Sequence, residues 1–240
     1  MKRILSNSLY LYSSKFVPLI CMSLLTYVPL LFLHTIIVNS IYNESRFMEY
    51  PGVIGDAANG IFMLVFLTIA QVPFIKLTIL DHEDEESIFR KSLGFSMDRM
   101  ISLYVFACLY SLLVFLGGLL FVIPGLIVLL LFYFVPYFIA DGVKSYKVAI
   151  RKSVSLVKKR ILITFVIIGA VTAIQLLFEN VLFLFISIYT DVYFVFLFTK
   201  IVLQMFILPF QIILVTNLFI DIKEENTLEL ETNSIIKARM

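Results

Sequence analysis

Tryptophan is absent from these 240 residues, only 15% of them are charged, and there are just two cysteines. Each shortage excludes something. With so few charges and 61% hydrophobic residues, the chain has too little polar surface to wrap a soluble domain, which usually carries about 25% charged residues. Without tryptophan, an aromatic belt at a membrane interface has to rest on tyrosines such as Tyr10, Tyr12, Tyr42, Tyr50, Tyr189 and Tyr193. Cys21 and Cys108 both fall inside apolar runs, so they read as packing thiols rather than as a disulfide or metal ligands. The chain also lacks an HExxH pair, a Gly-x-Ser-x-Gly elbow, a Walker loop and a CxxC pair. No signature of an enzyme or of a bound cofactor remains. A net charge of +2 is too small to point to a nucleic-acid partner.

What is present is apolar sequence in long runs, at 16–38, 60–80, 100–122, 125–140, 161–178 and 194–220, with a mean hydropathy of +1.01 over the chain. Crossing a hydrocarbon layer of about 30 Å takes roughly 20 apolar helical residues. The runs therefore predict an all-α, polytopic membrane helix bundle: a single transmembrane domain over 1–222 with six spans, then a polar tail at 223–240. The fourth run is short, about 24 Å at 1.5 Å per residue, and follows the third through Ile123-Pro124-Gly125. That junction predicts a tight hairpin, with Pro124 opening the returning helix. Residues 181–189 are bracketed by Glu179-Asn180 and Thr190-Asp191 and are too few to cross. They read either as a continuation of the fifth helix or as a piece lying at the outer interface. Met1-Lys2-Arg3 before an apolar stretch resembles the start of a signal peptide, but Lys15 interrupts it and no small-residue cleavage site follows. An uncleaved first helix is expected instead.

All but two of the nineteen lysines and arginines lie in four regions: Lys2, Arg3 and Lys15; Lys76, Arg90, Lys91 and Arg99; Lys144, Lys147, Arg151, Lys152, Lys158, Lys159 and Arg160; and Lys223, Lys237 and Arg239. Cytoplasmic loops carry such an excess. Six spans place all four regions on one side, with both termini in the cytoplasm and the chain in the cell inner membrane. Arg46 and Lys200 are left for the other side, Lys200 within reach of the interface by snorkelling.

Three of the basic regions also superpose when aligned on Ser8, Ser92 and Ser153. Apolar residues then coincide at Leu5, Phe89 and Ile150, at Leu9, Leu93 and Val154, and at Leu11, Phe95 and Leu156, while Lys15, Arg99 and Arg160 close the three segments. In the third copy Ile150, Val154, Val157 and Ile161 form one helical face, and Arg151, Lys152, Lys158 and Lys159 the other. Each copy predicts an amphipathic helix at the cytoplasmic interface, with Arg90, Lys91, Arg151, Lys152, Lys158 and Lys159 as candidate lipid contacts. Each is followed by a plain span and then by one containing a proline, in Val72-Pro73-Phe74, Val135-Pro136-Tyr137 and Leu208-Pro209-Phe210. The expected fold is thus a pseudo-threefold repeat, with Pro73, Pro136 and Pro209 as candidate helix bends.

The run Phe121-Val-Ile-Pro-Gly125, the stretch to Val135-Pro136-Tyr137 and Asp141, the segment Ala149-Ile-Arg-Lys-Ser-Val154, Pro209 and the ending Leu218-Phe-Ile-Asp-Ile-Lys223 resemble a known pattern. It is that of the YciC-like bacterial membrane proteins and of the membrane domain attached to some glycerophosphodiester phosphodiesterases. The resemblance covers nearly the whole chain. It implies a bacterial inner-membrane protein working near lipids or the envelope. No phosphodiesterase domain follows the spans in this sequence, so no catalytic activity is implied.

Polar residues offer few further sites. Asp81-His82-Glu83-Asp84-Glu85-Glu86 reads as acidic residues favouring the positive end of a following helix, in preference to a divalent-cation site. His34 and His82 fall on opposite sides of the membrane and cannot share a metal. Gln71, Gln175, Gln204, Gln211 and Asn217 read as hydrogen-bond partners between helices, Lys76 as a snorkelling residue, and Glu179 with Lys200 as an ion pair on the outer side. Gly117-Gly118 reads as a close helix contact.

The expected function is non-enzymatic, by binding membrane lipids or other membrane proteins. Alternatives are a transporter or permease subunit whose path the bent spans line, and an immunity protein against a membrane-active peptide. Topology is directly testable: reporter fusions after Lys15, Arg99, Arg160 and the C-terminal tail should all report cytoplasm, and an outside signal at any of them would overturn the six-span order.

Overall fold

A computed structural model describes residues 2–159, 161–190 and 192–238, and among these every long element is helical. In chain order the helices are α1 (Lys2–Ser14), α2 (Phe16–Met22), α3 (Val28–Glu44), α4 (Pro51–Ala70), α5 (Val72–His82), α6 (Ile88–Asp98), α7 (Met100–Leu120), α8 (Val122–Phe132), α9 (Val135–Ala140), α10 (Tyr146–Lys159), α11 (Ile161–Ser187) and α12 (Tyr193–Ala238). Six stretches are long and apolar enough to cross a membrane: Phe16–Phe47, Gly52–His82, Met100–Leu120, Val122–Ala140, Ile168–Ser187 and Phe194–Glu225. The chain is a multi-pass membrane helix bundle.

Several boundaries lie elsewhere than polarity placed them. Helix α3 continues through Asn39, Ser40 and Asn43 to Glu44, and α4 begins at Pro51, so little of the expected outer loop at 39–59 is loop. A helix stops at a breaker or cap rather than where the side chains turn polar. Residues 181–187 continue the fifth helix, and α12 runs on through the expected polar tail to Ala238. The short helices α1 and α6 are joined to the spans that follow them by kinks, not loops. Lys15 (φ −110°, ψ 23°) leaves the helical region and Arg99 (φ −101°, ψ 0°) lies at its edge, yet helical hydrogen bonds pass through both: Lys15 N to Leu11 O at 2.9 Å, Arg99 N to Phe95 O at 3.2 Å. The third matching position, Arg160, lies outside the described residues.

The deepest packing is near the end of the bundle that carries the basic regions. Along α5 every residue from Val72 to Leu80 except Lys76 is buried, as is all of α9. Both pack against each other, and α5 also packs against α12. Phe219 of α12 sets its ring against Phe134, Tyr137 and Phe138 at 5.7, 5.5 and 4.9 Å. Around this junction α1 packs on α12, α6 on α5 and α10 on α9. Each short helix thus lies on the proline-bearing segment that precedes it in the sequence, and α1 closes the ring by lying on the last one. Ser8, Ser92 and Ser153 are fully buried, and Ile4, Ile88 and Ala149, the residues four before them, are buried too. Serine and alanine at these positions let helix backbones approach closely.

Burial differs among the spans: two-thirds of the most apolar stretch of the second is buried, against none of that of the fifth. The hairpin α7–α8 is held by glycine. A Cβ added at Gly125 would lie 2.9 Å from Gly118 N and 3.0 Å from its Cα, and one at Gly117 would lie 3.0 Å from Gly125 Cα. Backbone atoms on both sides leave nothing flexible to yield. Gly125→Ala is therefore expected to cost about 1–3 kcal/mol of bundle stability, whereas Gly94→Ala, where the space is open, should stabilise or be neutral. Reversible unfolding in mixed micelles measures both, and an unaffected Gly125→Ala would show that the hairpin opens freely.

Candidate functional site

Helices α6 and α10 expose all six residues expected to contact lipid. Arg90, Lys91, Arg151, Lys152, Lys158 and Lys159 are exposed. Ser87 enters α6 in the left-handed region (φ 56°), and Lys91 reaches back to Glu85 at 2.5 Å. That hydrogen bond and charge hold the Glu85 carboxyl below the usual carboxylate range. Lys152 lies over the Phe138 ring at 5.9 Å, and Lys76 over Phe95 at 5.4 Å. Arg90, Arg151 and Lys158 have no ion pair among the described residues. The inward face of α10 differs from the stripe drawn on its sequence. Ala149, Ser153, Leu156 and Val157 are its buried residues, Ile150 and Val154 only flank them, and they pack on α9 and α8. Much of the apolar side of this helix is therefore spent on protein.

Other charges at this end tie the elements together. Lys223 donates to both oxygens of Asp141 at 2.7 and 2.6 Å, Lys15 faces Asp81 at 3.8 Å, and His82 faces Glu224 at 3.7 Å. In the acidic run Asp81 and Glu85 turn to different lysines. Tyr146 donates to Ser102 Oγ at 3.1 Å, joining α10 to α7, and burial pushes its phenol up.

The candidate bends differ among themselves. The helix is interrupted just before Pro73, at Gln71, and just before Pro136, at Tyr133 and Phe134, whereas α12 runs through Pro209 unbroken. A proline lacks the N–H that would bond the carbonyl four residues back. For Pro209 that carbonyl belongs to Met205, and the Ser23 hydroxyl lies 3.2 Å from it and 3.1 Å from Leu19 O, its one proton shared between them, while Tyr12 Oη donates to the next one, Phe206 O, at 3.0 Å. Near Pro136, Ser153 Oγ donates to Leu131 O at 2.6 Å and Tyr110 Oη to Leu129 O at 2.8 Å. Hydroxyls from neighbouring helices thus supply donors to backbone next to the prolines, where no water is at hand.

Polar side chains inside the spans meet where α11 packs on α12. Gln175 Nε2 donates to Glu179 Oε1 at 2.9 Å, and Gln204 Nε2 donates to the same oxygen. The expected Glu179–Lys200 pair is not formed: Lys200 is exposed, and the two glutamine amides hold the carboxylate instead. Residues 23–27 form one widened π-helical turn between α2 and α3, a feature common at functional sites. Tyr27, from that turn, and His34 line a cavity of about 10 Å³ with Leu30, Leu31, Met63, Phe66 and Leu67. Tyr27 Oη, His34 Nε2 and Gln204 Oε1 are buried without a hydrogen-bond partner. Sequence reading missed Tyr27, which nothing in its neighbours distinguishes from a packing aromatic. Farther down α12, Asn217 Nδ2 donates to Ser8 Oγ at 2.9 Å.

Removing a hydroxyl from this network should cost more than its size implies. Ser153→Ala leaves Leu131 O without that donor in a buried site and is expected to lose about 1–3 kcal/mol, while Ser155→Ala on the exposed face of the same helix should lose almost nothing. Equal unfolding free energies for the two variants would remove the role assigned to Ser153. Comparisons of the chain with known protein families, with characterised proteins and with solved structures return no match.

Proposed function

We propose that this multi-pass protein acts by binding rather than by catalysis, at the cytoplasmic leaflet of a bacterial inner membrane, and that its ligand there is anionic lipid headgroup. The observation that carries this reading is the exposure of Arg90, Arg151, Lys152, Lys158 and Lys159 on helices whose other face is anchored in the bundle. A basic side chain fixed at the membrane surface meets phosphate with little further loss of freedom. The pseudo-threefold reading of the sequence supports it, since the ring of α1, α6 and α10 on α12, α5 and α9 sets the basic helices around one junction. The resemblance to the YciC-like membrane proteins points the same way, toward lipids and the envelope. A partner membrane protein is the other binder that such a face suits.

Because α8 and α9 cover the apolar side of α10, the test uses the full chain. Each lysine or arginine near an anionic surface is worth about 1 kcal/mol. Replacing Arg151, Lys152, Lys158 and Lys159 with glutamine should therefore reduce the anionic lipid that copurifies with the protein from mixed bilayers by at least roughly tenfold, leaving zwitterionic lipid unchanged. Lipid retained per protein is counted by mass spectrometry. Undiminished anionic enrichment in the quadruple variant would exclude this face as the headgroup site.

A further inference from the structure

The two exposed basic helices differ in what surrounds their charges. Just ahead of α6 lie Asp81, Glu83, Asp84, Glu85 and Glu86, and Lys91 is taken up by Glu85. Around α10 the balance is reversed. The chain holds no aspartate or glutamate between Asp141 and Glu179, while Lys147, Arg151, Lys152, Lys158 and Lys159 all stand exposed on this one helix. Lys147, Arg151, Lys152 and Lys158 have no ion pair among the described residues. Four of these charges form two pairs. Arg151 and Lys158 are seven positions apart, as are Lys152 and Lys159, which is close to two full turns, so both pairs face the same way. At 1.5 Å per residue the pairs lie about 10 Å apart along the axis. Between them the exposed side carries the uncharged Ser155. The opposite side, with Ala149, Ser153, Leu156 and Val157, is buried as α10 packs on α8 and α9, and Ser153 Oγ donates to Leu131 O. Turning or sliding the helix would break these contacts, so the backbone spacing of the two pairs is set before any lipid arrives.

We propose that this face of α10 takes one phospholipid carrying two phosphates, the Arg151–Lys152 pair holding one phosphate and the Lys158–Lys159 pair the other. The inference rests on the anionic-headgroup reading above and narrows it to a class of lipid. The Arg151 guanidinium offers a phosphate two parallel donors, and the lysine ammoniums act as point charges beside it. Once the first phosphate of such a lipid is bound, the second is tethered near the other pair, and its binding becomes an intramolecular event at high effective concentration. A lipid with one phosphate fills one pair and leaves the other to a separate molecule. Helix α6 lacks this arrangement, because its charges are a single adjacent pair, Arg90 and Lys91, with Lys91 turned to Glu85.

The test places the full chain in phosphatidylethanolamine bilayers that contain phosphatidylglycerol and diphosphatidylglycerol at equal total phosphate, and counts by mass spectrometry the lipid retained per protein. Tethering should favour the two-phosphate lipid by at least about tenfold per phosphate. Replacing Arg151 and Lys152 with glutamine, or Lys158 and Lys159, should each abolish that preference, while phosphatidylglycerol falls only about twofold because one of two pairs remains. The wild-type comparison needs no variant, so a misfolded substitution does not decide the matter. Equal retention of the two anionic lipids per phosphate, with both enriched over phosphatidylethanolamine, would overturn the two-phosphate site and leave the anionic-headgroup reading standing. Enrichment of neither would remove that reading and this site with it. A preference that survives in both double variants would put the two-phosphate lipid elsewhere on the protein and overturn the assignment to α10.

Discussion

Hydrocarbon offers no hydrogen bonds, and this bundle is organised by that constraint. Every span must satisfy its own backbone, so helices are the available solution, and each proline in a helix creates a debt of one donor. Hydroxyls on neighbouring helices donate to backbone beside two of the prolines: Ser23 and Tyr12 to α12 at Pro209, Ser153 and Tyr110 to α8 ahead of Pro136. These bonds cross between elements far apart in sequence. They therefore also fix which helices are neighbours, and Ser153 is at once a packing residue of α10 and a donor to α8.

The ring of short helices follows from the same economy of space. Ser8, Ser92 and Ser153 are small enough to let α1, α6 and α10 lie close to other helices, and each is fully buried. Their charged sides then have nowhere to go but outward. Farther along, α11 packs mainly on α12 with its apolar stretch otherwise unburied, and the Glu179 carboxylate there is held by the amides of Gln175 and Gln204.

Amphipathic pattern has an ambiguity that α10 makes plain. A period of 3.6 marks one side of a helix as apolar, and the sequence marks Ile150, Val154 and Val157. Whether that side meets lipid or protein depends on what else is near. Here the most buried residues are Ala149, Ser153, Leu156 and Val157, a face rotated toward the smaller side chains, because close contact with α8 and α9 rewards small residues where a bilayer would reward large ones. Hydropathy alone ranks those faces the other way. The same limit applied to the span ends, since polar residues at 39–44 do not end a helix that has no breaker.

Span number, the clustering of basic residues into four regions and the serine-aligned pattern were legible in the residues themselves, because hydrocarbon thickness sets a length and charge avoids it. So was the helical character of the whole chain. The order in which α1, α6 and α10 pack around the ring, the hydroxyls that serve the proline-bearing segments, and the choice of two glutamines over Lys200 as partners of Glu179 were decided only by tertiary structure. Each depends on distances between residues remote in sequence, Ser23 to Met205 or Gln204 to Glu179, and no local period or composition carries that information.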